Sequence, residues 1–119
     1  LRGLGAEVAV SARRLDDLAW IDAFGYRGLH TNRLAGKLGD FRVVFNTVPH
    51  TVLSEDLLRE LPQDCVLIEL ASQPGFDRAA AEALGLKCIS ALGLPGKAAP
   101  ETAAHAIWTT LKKIWEEEA

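Results

Sequence analysis

No apolar run in the chain approaches the roughly 20 residues that a bilayer span needs, so no membrane is expected. No charged-then-apolar leader precedes a small-residue cleavage site, which argues against export. Basic blocks and stripes are absent and the formal net charge is −3, so nucleic acid is not the expected partner. Cysteine is scarce. Cys65 and Cys88 each fall at or inside an expected strand, lack metal-ligand spacing, and read as reduced, buried, small apolar residues. That points to a cytosolic compartment. His30, His50 and His105 also lack ligand spacing, so no metal site is expected. No nucleophile stands beside a base, which leaves covalent catalysis without support. No repeat, low-complexity segment or linker divides the 119 residues. With 49% of them hydrophobic they can form one domain with a real core, or a piece of one.

What is present centres on Val43–Pro49. Val43, Val44 and Phe45 are β-formers without helical period. Asn46 and Thr47 then place an amide and a hydroxyl where the strand stops. Pro49 stiffens the exit and biases Val48 to an extended shape. Ligands of an open parallel sheet bind just beyond the carboxyl ends of its strands, and this exit has the groups for that. Alone it is equally well an ordinary strand-to-loop exit.

The remainder repeats the alternation at roughly twenty-residue spacing, the rhythm of a parallel doubly wound sheet. Leu1–Gly5 reads as the tail of a helix. Val8–Val10 is a short strand, followed by a helix from Leu15 or Asp16 to Ala23, with Asp16 the better cap. Arg27–His30 is a weak strand, after which Thr31 can cap a brief helix with Leu34 and Leu38 one turn apart. Ser54 is expected to cap a helix ending before Pro62. Cys65–Leu70 is a strand, Asp77 caps a helix to Leu84, and Lys87–Ala91 is the last strand. Gly93–Lys97 reads as its exit loop. Pro100 suits the first turn of a final helix. There Ala104, Ile107, Trp108, Leu111, Ile114 and Trp115 form one broad apolar stripe, read as core or interface.

Polar and conformationally special residues gather at the strand exits. In a dinucleotide fold the end of the second strand faces the adenosine ribose. An acid there takes the 2′-hydroxyl, whereas arginine accommodates a 2′-phosphate. Here the strand ends without Asp or Glu and runs into Ser11-Ala12-Arg13-Arg14, a hydroxyl with two planar forked donors. The competing account is a solvated arginine pair. The Gly-x-Gly-x-x-Gly hallmark is missing, because Gly3 and Gly5 precede the Val8–Val10 strand. The sequence is therefore expected to begin near the end of the first helix of a nucleotide fold, without the pyrophosphate cradle. On that reading, residues 1–119 are a partial, N-terminally truncated Rossmann-like NAD(P)-binding domain, and the chain by itself is expected to be inactive.

Four runs make the resemblance specific. They are Val8–Arg14, Asn46-Thr47-Val48-Pro49, Glu69–Gly75 and Gly93–Ala103. In order, over nearly the whole chain, they are similar to the nucleotide-binding domain of the dipicolinate synthase A-subunit family. The resemblance implies an oxidoreductase using NADP, or NAD. It would act with a flavoprotein-like B-subunit of dipicolinate synthase, making dipicolinate from a small dicarboxylate of the dihydrodipicolinate pathway during sporulation, in the mother-cell cytoplasm. The loop after Pro74 departs from the family's double-glycine form, since Phe76 follows Gly75 directly.

Roles follow from position and resemblance together. Ser11, Arg13 and Arg14 are assigned to the 2′-phosphate. Asn46, Thr47 and Pro49 are assigned to the cofactor ribose and its wall, and Ser72 to cofactor binding without a finer role. Leu94, Pro95 and Gly96 would bring backbone close to the nicotinamide end. The catalytic acid or base is unassigned. Lys97 is a candidate for pairing a substrate carboxylate or polarising a carbonyl, and His50 for moving a proton. For both, solvated surface charge is the competing account. Two other classes stay open. One is a non-catalytic module that docks a partner protein, or a second copy, through the Trp108/Trp115 helix. The other is a methyl-transfer fold, disfavoured because that fold wants an acid where Arg13-Arg14 stands.

Overall fold

Strand and helix alternate as the pattern requires. The computed structural model describes residues 1–118. After a single 3-10 turn at Arg2–Leu4 come β1 (Ala9–Ala12), α1 (Leu15–Ala23), β2 (Arg27–His30) and a second 3-10 turn at Thr31–Arg33. Then follow β3 (Val43–Asn46), α2 (Glu55–Leu58), β4 (Val66–Glu69), α3 (Arg78–Ala83), β5 (Lys87–Ser90), α4 (Leu94–Ala98) and α5 (Pro100–Glu118). All strand pairings are parallel.

The strands form two ladders, β1-β2 and β3-β4-β5, instead of one continuous sheet. Among the described residues no strand bonds to the free edge of β1 or of β3, so the ladder is interrupted between them. Side-chain alternation sets the core. Val44, Leu67 and Cys88 share one register, as do Asn46, Glu69 and Ser90 two residues on. Leu58, Cys65 and Leu67 are fully buried there, with Leu53, Phe76 and Ala81 packed round them. The opposite row is open: Val43, Phe45 and Ile89 remain exposed.

Several local expectations are corrected. β1 runs on to Ala12, so Ser11 lies in the strand and not beyond it. Arg14, not Asp16, is the N-cap of α1, and Asp16 instead pairs with the Arg14 guanidinium. The brief helix through Leu34 and Leu38 is only the 3-10 turn, capped by His30 Nδ1 accepting from the Asn32 N–H at 3.1 Å. Gly36 explains the stop: its φ of +75° is left-handed, and its N–H donates to the Glu60 carboxylate. Leu34 and Leu38 are nevertheless both buried. Ser54 sits at the cap of α2 but its side chain accepts no bond, whereas Asp77 Oδ1 does accept from the Ala80 N–H at 3.0 Å. Gly93–Lys97 is not an open loop. Residues 94–98 form α4, since proline fits a helix's first turn. The α5 stripe is not core. Trp108 is 65% and Trp115 79% exposed, and the helix packs chiefly against α4.

Candidate functional site

Parallel register brings the strand exits level. The Leu70 N–H donates to the Asn46 carbonyl at 3.0 Å and the Ala91 N–H to the Glu69 carbonyl at 2.8 Å, so β3, β4 and β5 leave their ladder along one edge. β1 and β2 end level with each other at Ala12 and His30. A crevice of about 260 Å³ joins the two edges. Ser11, Ala12, Arg13 and Arg14 form one side with Asp17 of α1. Thr31 comes from the β2 exit, and Val48 and Val52 close it from the β3 exit.

The phosphate candidates Ser11, Arg13 and Arg14 thus stand together on the crevice. They differ in freedom. Arg14 is engaged by Asp16, while Arg13 has no ion-pair partner among the described residues. Asp17 brings the opposite charge to the same lining, so the corner is mixed in sign.

Asn46 takes a different place from the expected one. It is buried, and its amide is engaged within the protein. Nδ2 donates to the Val48 carbonyl at 2.8 Å and to Glu69 Oε1 at 2.7 Å, while Oδ1 accepts from the Val48 N–H at 3.3 Å. Both amide hydrogens are taken, so its direct work is on the turn. Thr47, Pro49, His50 and Ser72 are exposed on the exit loops, outside the crevice lining. Leu94, Pro95, Gly96 and Lys97 are exposed on α4 and do not line it either.

Glu69 is the residue that sequence reasoning left without a role. It is 7% exposed, and its carboxylate accepts from Asn46 Nδ2, from the Ala71 N–H at 2.9 Å and from the Gly75 N–H at 2.8 Å. The signal for it was an acid on the last position of an otherwise apolar strand. Asp17, Val48 and Val52 were also unassigned. Asp17 reads as ordinary first-turn acid, and the valines carry no chemistry of their own.

A smaller cavity of about 20 Å³, the scale of a single water, lies between Glu69, Phe76, Arg78 and Cys88. Burial raises the thiol pKa of both cysteines. The Asp64 charge adds to this at Cys65, and Arg42 opposes it. At Cys88 Arg78 opposes the rise and Glu82 adds to it. Among the described residues no cluster of three His, Cys, Asp or Glu can hold a metal ion, and no helix is long and apolar enough to cross a membrane.

Parallel ladders with crossover helices, and a crevice at their carboxyl edges, define a Rossmann-like α/β unit. No family model matches the chain. The dipicolinate synthase A-subunit of Bacillus subtilis (strain 168) is 36% identical over 115 residues, which is 96% of this chain. The crystal structure of the dipicolinate synthase A-subunit from Bacillus halodurans superposes with a TM-score of 0.86 at 39% identity over 95% of the chain. The crystal structure of the Bacillus subtilis A-subunit gives 0.87 at 36% identity over 98%. The chain is a homologue of part of the dipicolinate synthase A-subunit. It spans 39% of the length of these relatives.

Proposed function

We propose that this α/β unit is the nucleotide-binding part of an oxidoreductase and takes the adenosine end of a nicotinamide dinucleotide in the Ser11–Val52 crevice. The observation that carries this reading is the meeting of three strand exits at a cleft whose one unpaired cation, among the described residues, is Arg13. The residues fit the group. Arg13 and Ser11 offer charged and neutral donors to a 2′-phosphate, and Val48 and Val52 offer an apolar wall to a base or sugar face. A volume of about 260 Å³ suits the adenosine ribose and its phosphate, not a whole dinucleotide. NADP is the preferred cofactor and NAD the alternative. When bound, the cofactor supplies hydride chemistry, while the chain's residues bind and orient it.

In this reading the whole protein forms dipicolinate from a dicarboxylate of the dihydrodipicolinate pathway, together with a flavoprotein-like B-subunit, in the cytoplasm of a sporulating mother cell. Residues 1–119 alone are expected to be inactive. A second reading rests on α5: Ile107, Trp108, Leu111, Ile114 and Trp115 are all exposed, as a helix that docks a partner protein would leave them.

The test is titration of the intact protein with NADPH and with NADH. Arg13→Ala is expected to weaken NADPH binding about 10- to 100-fold, the worth of a hydrogen bond to a charged group, with NADH little changed. Equal loss for both cofactors rejects the 2′-phosphate assignment. Failure of the wild type to bind either favours the docking module.

A further inference from the structure

We propose that Glu69 is the positioning residue of the crevice, holding its Val48–Val52 wall from inside the fold through Asn46 and Gly75; this rests on reading the crevice as the dinucleotide site. Glu69 itself does not line the crevice. Its influence travels through two short relays. On one, the Asn46 amide donates to Glu69 Oε1 and also fixes both the carbonyl and the N–H of Val48. On the other, Glu69 Oε2 accepts from the Gly75 N–H, and the Gly75 carbonyl accepts from the N–H groups of Val52 at 2.7 Å and Leu53 at 3.0 Å. Both wall residues are therefore one hydrogen-bonded partner away from a single carboxylate.

The choice of side chain supports this. A buried carboxylate is costly unless its lone pairs are filled. No cation bonds Glu69 among the described residues, and Arg78, which lines the same small cavity, is bonded to Glu82 at 3.1 Å. Three N–H donors fill it instead, one from Asn46 at the end of β3 and two from the exit loop of β4. Only an acceptor-only group can receive all three. A carboxamide would turn a donor toward one of them. Two residues earlier on the same face of β4 stands the fully buried Leu67, so burial alone asks for an apolar residue. The acid is explained by what it organises.

The intact protein tests this with dinucleotide affinity and thermal stability measured side by side. Glu69→Gln and Asn46→Asp are each expected to weaken NADPH binding at least 10-fold at temperatures where circular dichroism shows an intact fold. The double variant exchanges donor and acceptor across the 2.7 Å pair and is expected to recover part of that loss. In the wild type, NADPH should slow amide exchange at Val52 and Gly75 more than at Leu67, a readout that needs no variant. Lower melting temperatures with affinity within twofold of wild type, or no change in exchange at Val52 and Gly75, would overturn the role of Glu69 while leaving the site intact. A wild type that binds neither NADPH nor NADH overturns the reading of the crevice, and this inference with it.

Discussion

Gly75 and Asn46 approach so closely that a Cβ on Gly75 would lie 2.0 Å from Asn46 Cγ and 2.2 Å from both amide heteroatoms. The Asn46 amide cannot retreat, because its bonds to Glu69 and Val48 hold it. Gly75→Ala should therefore destabilise by about 1–3 kcal/mol or more, the usual cost of overpacking a tight interior. Denaturant unfolding measures it. A midpoint equal to wild type would mean that the two exit loops yield more easily than their bonding implies.

Gly75 also shows why part of the architecture could be read in advance and part could not. Parallel α/β alternation is written in local composition: apolar runs of strand length, capping acids and stop signals recur at regular spacing. Asp77 is a clear case, expected as a cap and bonded to the Ala80 N–H. Glu69 and Gly75 are the opposite case. Neither declares its role in its own segment: Glu69 is held by Asn46 from the end of β3 as well as by its own exit loop, and Gly75 is required by the closeness of Asn46. Asn46 was legible as a polar group at a strand end, but whether its amide turns outward to a ligand or inward to Glu69 depends on a residue 23 positions away. Leu34 and Leu38 show helical spacing, yet Gly36 between them adopts a left-handed φ and breaks the helix. The stripe on α5 was correctly read as apolar. Periodicity reports amphipathicity and does not say what covers it.

Thiol reactivity should follow burial. Cys65 is fully buried, and burial raises the pKa of both Cys65 and Cys88. A raised pKa lowers the thiolate fraction at neutral pH, and the thiolate is the reactive form. A thiol reagent at pH 7 should therefore label Cys65 negligibly and Cys88 slowly. Both should react quickly in denaturant, and labelling of the folded protein should speed up as pH rises toward the raised values. Prompt modification of Cys65 in the folded protein would contradict its placement against Leu58 and Leu67.

Core and stripe should separate sharply in a truncation series. Leu67 is fully buried on the central strand of its ladder, and Leu67→Ala is expected to cost about 2–5 kcal/mol. Trp108 and Trp115 are larger but exposed, so Trp108→Ala and Trp115→Ala should each change intrinsic stability by no more than about 0.5 kcal/mol. Chemical denaturation at low protein concentration gives both values. A tryptophan variant as damaging as Leu67→Ala would show that α5 is covered in the molecule in solution.

The Arg14–Asp16 pair leads to an affinity gain, not a loss. Arg14 and Arg13 border the same crevice, but Asp16 holds the Arg14 guanidinium while Arg13 is unpaired among the described residues. The two side chains of the pair are 73% and 67% exposed, and exposed ion pairs contribute about 0–1 kcal/mol to stability. Asp16→Asn should then leave the unfolding midpoint nearly unchanged. It removes a negative charge from beside the proposed phosphate position and frees a second planar donor to turn toward it. Preference for NADPH over NADH is expected to rise several-fold, and the gain should shrink as salt is added, because both effects are electrostatic at an exposed corner. The Asp16→Asn, Arg14→Ala double variant separates the two contributions. If it keeps the whole gain, the removed charge is responsible; if it loses the gain, the released Arg14 is. An unchanged preference in the single variant would mean that neither the Asp16 charge nor the released Arg14 is felt at the ligand, which would place the phosphate away from this pair.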